Sequence, residues 1–248
     1  ALTDEGLDRE LFALPLELAA AEVLGVVHRL DWAGGSRRLL GLEVEGTAAL
    51  DLPLGARSVA FRADRAELAG EALLLTDYKT GKSKFSSYAK ADTRRRKLEE
   101  ALAEGDWLQL PAYARARAGR PVAGRLLFLK GDLEDDRREA LFAAPADGTN
   151  LDLSERAVWQ TLFTAWDRGA FLPRLLDKTL EAPYQECAYC EVRVACLQGD
   201  SGARLRLERW VRARLDKGAA ASDAAEAAAW QLFQLRGPRP SAAAPESD

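Results

Sequence analysis

The sequence contains no methionine and a single histidine among its 248 residues. No apolar run approaches the length of a transmembrane helix and no signal peptide opens the chain, so we expect a cytoplasmic protein without a membrane partner. The three cysteines are an odd number and lie close together, which argues against the disulfide framework of a secreted protein. Because the chain starts at Ala1 and lacks methionine, we expect it to be a piece of a longer polypeptide, with a processed terminus as the alternative.

A positive overall charge is also missing, since 35 basic residues stand against 39 acidic ones and the formal net charge is −4. Attraction of the whole molecule to nucleic acid is therefore not expected, and any such binding must come from a local basic surface. The length is ample for a sizeable core, and the hydrophobic fraction of 48% is that of an ordinary globular protein.

The most informative stretch is residues 73–82, in which a short leucine run leads into Asp77, Tyr78 and Lys79. The run predicts a β-strand, on which residues two apart project from the same face. We therefore expect Asp77 and Lys79 to point into one cleft and Tyr78 to face away. A carboxylate that holds a divalent cation beside a lysine that orients water suits a metal-dependent phosphodiesterase, although a plain salt bridge at a strand end gives the same pattern.

A second acidic residue, Asp64, lies late in the preceding predicted strand. Gly70 can turn that strand back, so that Asp64 comes beside Asp77. Converging carboxylates repel each other unless they are protonated or bridged by a cation, and hard oxygen ligands favour Mg²⁺ or Mn²⁺. Downstream, Gln109 and Tyr113 lie one helical turn apart and therefore share a helix face.

Four motifs in this order, FRADRAEL, LLLTDYKTGK, QLPAY and CAYCEVRVAC, resemble the RecB/AddB-type nuclease domain of the PD-(D/E)XK superfamily, in its iron–sulfur branch. The resemblance covers residues 42–209 and implies exonucleolytic cleavage of DNA within a helicase–nuclease or recombination system, with a helicase domain or subunit as partner. The catalytic residues that it implies are Asp64, Asp77, Lys79, Gln109 and Tyr113. It also implies that Mg²⁺ or Mn²⁺ is held by Asp64, Asp77 and the backbone carbonyl of Tyr78.

His28 is a further candidate metal ligand, because the resembled family carries a G-x-x-H feature ahead of its first strand and Gly25 precedes His28 at that spacing. The segment between His28 and the first predicted strand is short for that family. A surface or packed histidine is therefore the alternative interpretation.

Cys187, Cys190 and Cys196 have the spacing of metal ligands. Three thiolates leave a tetrahedral zinc ion or a four-iron cluster one ligand short, and no nearby residue supplies the fourth. In the resembled family a fourth cysteine lies upstream of the nuclease motifs, which makes a [4Fe–4S] cluster the first expectation. Zinc is the second, and three thiols without a metal are the third.

A basic run close to the proposed site has two interpretations. It comprises Lys84, Arg94, Arg95, Arg96 and Lys97. The run is either a solvated helix start paired with Glu99 and Glu100, or an edge that tracks the DNA phosphates. Contacts of the second kind would be independent of base sequence.

The hydrophobic periodicity predicts alternating helices and strands, and we expect an α/β fold with a central mixed β-sheet flanked by helices. The resemblance implies that this core is restriction-endonuclease-like. Predicted helices cover residues 3–30, kinked or restarted at Pro15, and 94–118, bent or restarted at Pro111. Further helices are predicted at 153–171, 204–215 and 224–235. Predicted strands cover residues 39–52, 57–68, 72–80, 122–129 and 139–144. We expect one domain over residues 1–236, with an N-terminal helical segment at 1–35, a sheet core at 39–145, helices stapled by the cysteines at 150–236 and a disordered tail at 237–248.

Two other functions fit the same residues. One is a catalytically silent DNA-binding or assembly module that keeps the fold. The other is a protein-interaction domain stapled by zinc, in which the acidic residues are merely solvated. Cleavage of labelled DNA would distinguish a nuclease from the catalytically silent module. Elemental analysis of the bound metal would identify the interaction domain stapled by zinc.

Overall fold

The architecture is that of a computed structural model. It describes residues 9–32, 37–81, 85, 87–130, 133–146, 148–177, 180, 182, 184, 187–188, 190–192 and 194–235. Lys84 and the predicted tail at 237–248 lie outside the described residues. The chain divides into two compact units, of which the first comprises Ala1–Leu102 and Asp106–Glu155 and the second comprises Ala103–Gly105 and Arg156–Asp248.

The first unit is built on a five-stranded mixed sheet whose strands follow the chain order. The strands are β1 (Arg37–Leu52), β2 (Gly55–Ala69), β3 (Ala72–Lys79), β4 (Val122–Phe128) and β5 (Glu139–Ala143). β3 and β4 run parallel, and every other neighbouring pair is antiparallel. The predicted mixed sheet is therefore confirmed.

The turn between β2 and β3 depends on Gly70, which has a φ of 63°. An L side chain rarely adopts this left-handed conformation, so glycine is the natural residue for the turn. The register that follows pairs Ala69 with Ala72 and Arg65 with Thr76. It places Asp64 and Asp77 immediately beyond the last ladder pair, at the carboxyl end of β3.

Two short helices cross over between the parallel strands β3 and β4. They are α2 (Ala91–Ala103) and α3 (Gln109–Ala114). The helix predicted over residues 94–118 is therefore divided in two, and the restart that was expected at Pro111 lies slightly earlier, at Gln109. The helix stops because Gly105 and Trp107 adopt positive φ values of 81° and 56°. Pro111 is accommodated near the start of α3, where a missing N–H removes no intrahelical hydrogen bond.

The N-terminal helix α1 (Arg9–Val27) runs through Pro15 and continues into a π-helical turn, His28–Trp32. The helix therefore does not restart at Pro15, and the alternative expectation of a kink there stays a prediction. Val26 is buried in a cluster with Leu127 and Leu129 of the β4 segment, against which Tyr78 also packs. This packing brings the π-helical turn over one face of the sheet.

The opposite face is covered by α2 and α3. Their buried side chains form one cluster with β4 and β5, comprising Phe85, Leu98, Leu102, Leu110, Ala114, Leu126, Phe128, Ala140 and Phe142. α3 lies so close to β4 that a Cβ added at Gly124 would stand 2.6 Å from the carbonyl oxygen of Leu110. Gly124 therefore permits the close approach that sets the depth of Tyr113 against the sheet.

The second unit is helical. α4 (Asn150–Asp167) leads into it from the first unit, and α5 (Ser201–Lys217) and α6 (Ala224–Gln234) follow. Asp200 and Asp223 cap the last two helices by accepting hydrogen bonds from backbone N–H groups at 2.7 and 2.8 Å. Among the described residues, no helix combines the length and apolarity needed to cross a membrane.

Candidate active site

The candidate site is centred on Asp77, which lies near the carboxyl end of β3 and is 7% exposed. Its Oδ2 atom is 2.5 Å from Nζ of Lys79, two residues along the same strand. The predicted placement of both side chains on one face is confirmed by this contact. Lys79 and the buried Asp77 therefore form an ion pair. The Lys79 side chain is 27% exposed, so part of it remains accessible to solvent.

Asp64 joins the site from β2. Its Oδ2 atom accepts a hydrogen bond from the backbone N–H of Tyr78 at 2.7 Å. The regular ladder between the two strands ends one residue earlier, at the pair of Arg65 and Thr76. The carboxylate of Asp64 therefore accepts a hydrogen bond from the main chain of the residue that follows Asp77. The prediction that the two strands carrying the acidic residues lie side by side is confirmed.

Tyr113 reaches the site from α3 and is fully buried. Its hydroxyl donates to the carbonyl oxygen of Arg62 at 2.9 Å and also lies 3.4 Å from Oδ1 of Asp77. Burial, followed by the negative charges of Asp77 and Asp64, raises the pKa of Tyr113 above its ordinary value. The phenol therefore stays protonated at neutral pH and remains a hydrogen-bond donor beside the carboxylates.

Gln109 is the first residue of α3, one turn before Tyr113, and it is exposed. The side chain is accessible to an incoming ligand, whereas Tyr113 is held inside. Its predicted support of the site stays a prediction.

The donor set of the site fits a hard divalent cation. Oδ2 of Asp77 is buried and is paired with the ammonium group of Lys79 at 2.5 Å. Carboxylate oxygens of this kind are the ligands that hard divalent cations prefer. In the part of the chain that the structure describes, no group of three or more His, Cys, Asp or Glu side chains is arranged around a metal position.

His28, the further candidate ligand, lies at the start of the π-helical turn and is exposed. The same turn carries Asp31, which is buried on the face of the sheet that Tyr78 occupies. The proposed role of His28 at a metal stays a prediction.

A groove of about 560 Å³ opens on the hairpin of β1 and β2. Its lining residues are Glu45, Gly46, Thr47, Ala60, Phe61 and Arg62. The groove adjoins the site, because the carbonyl of Arg62 accepts the Tyr113 hydroxyl and the ring of Phe61 packs edge-on against Tyr113 with centroids 5.0 Å apart.

The basic run lies on α2 and just ahead of it, and its members differ in their environment. Arg94 makes its hydrogen bonds within the protein. Its side chain is 14% exposed and donates to the carbonyl oxygens of Tyr88, Ala89 and Asp136. Arg95 and Arg96 have exposed side chains that lie near acidic residues of the same helix. Lys97 contacts Glu100 at 2.6 Å. The expected pairing with Glu99 and Glu100 is thus present, and a role in DNA binding stays a prediction for the exposed members.

The three cysteines lie in the second unit in different environments. Cys190 is exposed, whereas Cys187 and Cys196 are partly buried. Sγ of Cys187 lies 3.6 Å from the carbonyl oxygen of Arg174, and Cys196 packs against an apolar cluster around Leu207. A metal or cluster at these thiols stays a prediction.

Several buried charges near the site were not identified from the sequence. Arg125 is fully buried in β4 and Glu67 is fully buried in β2, while Asp31 is 6% exposed. The signal was available for Arg125, because a lone arginine inside the apolar strand sequence VAGRLLF requires a buried partner. The partner itself was not predictable, since Asp31 is 94 residues away in the chain.

Comparison with known proteins gives a family match. The sequence model of the PD-(D/E)XK nuclease superfamily matches residues 2–197. Among solved structures, one described as "Crystal structure of SSO0001" is similar, with 16% sequence identity, a TM-score of 0.35, and coverage of 75% of this chain and 72% of that one. The search of curated proteins gives no match.

Proposed function

The chain belongs to the PD-(D/E)XK nuclease superfamily, and we propose that it is a metal-dependent nuclease that hydrolyses phosphodiester bonds of DNA. The observation that carries this proposal is the constellation at the end of β3. Asp77 is buried against Lys79 and Tyr113, and Asp64 is tied to the next residue of the same strand. These are the residues that the resemblance assigns to catalysis, on two strands and one helix.

The residues that would hold Mg²⁺ or Mn²⁺ are Asp64, Asp77 and the backbone carbonyl of Tyr78. Support comes from the carboxylates that Asp64 and Asp77 bring to the end of β3 and from the preference of both cations for oxygen ligands. When bound, such a cation polarises the scissile phosphate and makes a water molecule more acidic.

The protein side chains supply positioning and charge around the phosphate. Lys79, held by Asp77 and partly exposed, would orient the attacking water or stabilise negative charge that develops on the phosphoryl oxygens. Tyr113 would keep its proton and hold Asp77 and the Arg62 main chain in place. Gln109, exposed one turn earlier on α3, would contact the substrate phosphate or the site from the solvent side.

DNA would be bound without sequence preference. The groove on the β1–β2 hairpin, with Phe61 and Arg62 in its wall, offers an apolar surface and a cation next to the site. Arg95 and Arg96 of α2 are exposed cations that would contact phosphates further along the strand. Exonucleolytic action, a RecB/AddB-type identity and a helicase partner are proposed from the resemblance of the four motifs.

The cysteine segment is proposed to hold a [4Fe–4S] cluster through Cys187, Cys190 and Cys196, which leaves one ligand position of the cluster to another donor. The cluster would be structural and would staple the C-terminal helices. The support is the ligand spacing of the three thiols. Anaerobic reconstitution followed by iron, sulfide and zinc analysis tests it, because a brown protein with four irons supports the cluster and a colourless protein with one zinc supports the zinc alternative.

The nuclease proposal is tested by incubating the purified chain with end-labelled single-stranded and double-stranded DNA. We expect cleavage with Mg²⁺ or Mn²⁺ and none with a chelator. Binding of the same DNA without cleavage under any of these metal conditions would instead identify a catalytically silent module.

A further inference from the structure

Tyr78, the middle residue of the Asp-Tyr-Lys triplet, is held at both of its ends. Its backbone N–H donates to Oδ2 of Asp64 at 2.7 Å, on the side of the candidate site. Its hydroxyl donates to Oδ2 of Asp31 at 2.6 Å, on the opposite side of the sheet. Burial and this hydrogen bond raise the pKa of the Tyr78 phenol, so the hydroxyl remains a donor at neutral pH.

Asp31 is itself fixed by a fully buried arginine. Arg125 donates to Oδ1 of Asp31 and, at 3.0 Å, to the hydroxyl of Thr76. Thr76 and Tyr78 are the two neighbours of Asp77 on β3. Asp31 and Arg125 therefore bind the two residues of β3 that flank Asp77. Both contacts lie on the face of the sheet opposite to the candidate site.

The remaining members of the buried network complete its charge balance. Arg125 also donates to Glu139 at 3.0 Å, and the fully buried Glu67 accepts from Arg65 at 2.8 Å and from Arg37 at 3.1 Å. Counting Asp31 with the two glutamates, three carboxylates face three guanidinium groups. Removal of one charge from such a network leaves its partner buried without full compensation, so the arrangement favours a single geometry.

We propose that Asp31 is a positioning residue for the metal-binding end of β3. Asp31 holds the Tyr78 ring, and the ring in turn fixes the position of the Tyr78 main chain. That main chain carries both the N–H group that donates to Asp64 and the carbonyl group assigned to the cation. The inference rests on the proposed nuclease function. It assigns to the π-helical turn of the N-terminal segment a role in the site that needs no contact with metal or DNA.

The first test measures the main chain of β3 without any metal. Asp31→Asn preserves size but weakens the acceptor for Tyr78, and we expect the amide hydrogen of Tyr78 to exchange about tenfold faster, the factor that corresponds to the loss of one hydrogen bond. The matched control is Asp152→Asn, which removes another buried carboxylate, 2% exposed and paired with Arg115, in the same unit. Equal exchange of the Tyr78 amide in both variants would overturn the proposal.

The second test measures binding of Mn²⁺ by titration calorimetry and cleavage as a function of Mn²⁺ concentration. Asp31→Asn and the milder Tyr78→Phe should each weaken Mn²⁺ binding about tenfold. Cleavage by Asp31→Asn at saturating Mn²⁺ should stay near that of the wild type, and Asp152→Asn should lower the melting temperature alone. Equal Mn²⁺ affinity of wild type, Asp31→Asn and Tyr78→Phe would overturn the proposal.

The two tests separate this inference from the function on which it rests. A wild-type chain that binds no Mn²⁺ and cleaves no DNA refutes the nuclease proposal. The amide-exchange comparison then still decides whether Asp31 fixes the main chain at Tyr78. If Asp31→Asn does not fold, Tyr78→Phe, which keeps every charge of the network, carries both measurements.

Discussion

The backbone N–H of Tyr78 donates to the carboxylate of Asp64 at 2.7 Å, which joins the two acidic strands at the residue next to Asp77. This hydrogen bond places Asp64 beside Asp77 through the main chain. The fold itself therefore ties Asp64 to the strand that carries Asp77. Preorganisation of this kind lowers the cost of assembling a cation site and lets single side chains be tested with little change of structure.

Lys79→Arg should not restore cleavage, although the charge is kept. Nζ of Lys79 lies 2.5 Å from Oδ2 of Asp77, and a planar guanidinium is too wide for this position. We expect a loss of about 100-fold in kcat, the size of effect that a small misplacement of a reacting group produces. The matched control is Lys97→Arg on α2, which should cleave normally. An active Lys79→Arg variant would mean that the site requires only positive charge there.

Tyr113→Phe and Gln109→Ala should each lower cleavage by about 10- to 100-fold without abolishing it, as for groups that support a metal site from outside. Tyr113→Phe removes the hydroxyl that lies between the Arg62 carbonyl and Asp77. The control for Gln109→Ala is Gln231→Ala, which replaces an exposed glutamine on a different helix, α6. The test is the steady-state cleavage rate of each variant. If both variants cleave at the wild-type rate, this face of α3 contributes only packing and not support of the site.

Alkaline pH should destabilise the protein through Tyr78 and Tyr113. Burial is the largest cause that raises the pKa of both phenols in the folded state, whereas in the unfolded chain a tyrosine ionises near pH 10. Above about pH 10 the unfolded state binds fewer protons than the folded one, so the free energy of unfolding falls as pH rises. Ultraviolet titration should show two late-ionising tyrosines, and each Tyr→Phe variant should remove one. Ionisation of all five tyrosines at the ordinary pH in the folded protein would contradict this assignment.

Arg95→Gln combined with Arg96→Gln should weaken DNA binding uniformly across sequences. Both side chains are exposed, at 72% and 67%, and if each contacts one phosphate the slope of affinity against salt concentration should fall by about two. Arg206→Gln on α5, whose side chain is 65% exposed, is the control. Filter-binding or anisotropy titrations at several salt concentrations measure the slope, and an unchanged slope would leave this run as a solvated helix surface.

The strands that carry the site were predictable because their signals are local. Alternation along a strand places Asp77 and Lys79 on one face, and Gly70 supplies the turn that returns β3 to β2. The order of the strands then follows from short connections between neighbours.

Other features depend on contacts that no local pattern contains. The break between α2 and α3 lies at Trp107, a non-glycine residue with positive φ that propensity would leave in the helix. The pairing of Asp31 with Arg125 joins the N-terminal turn to the fourth strand, and it was not predictable without the fold. Such long-range polar pairs are specified by burial, which becomes visible only once the sheet and its covering helices are assembled.

The central claim is that Asp64 and Asp77 hold the catalytic cation. The most direct measurement compares Mn²⁺ binding, DNA binding and cleavage of labelled DNA for Asp64→Asn, Asp77→Asn and the control Asp92→Asn, whose side chain is 94% exposed. Both site variants should lose cleavage and most of their Mn²⁺ affinity, and they should bind DNA as well as the wild type or more tightly, because a negative charge facing phosphate is gone. Cleavage close to the wild-type rate by either Asp64→Asn or Asp77→Asn would contradict the account.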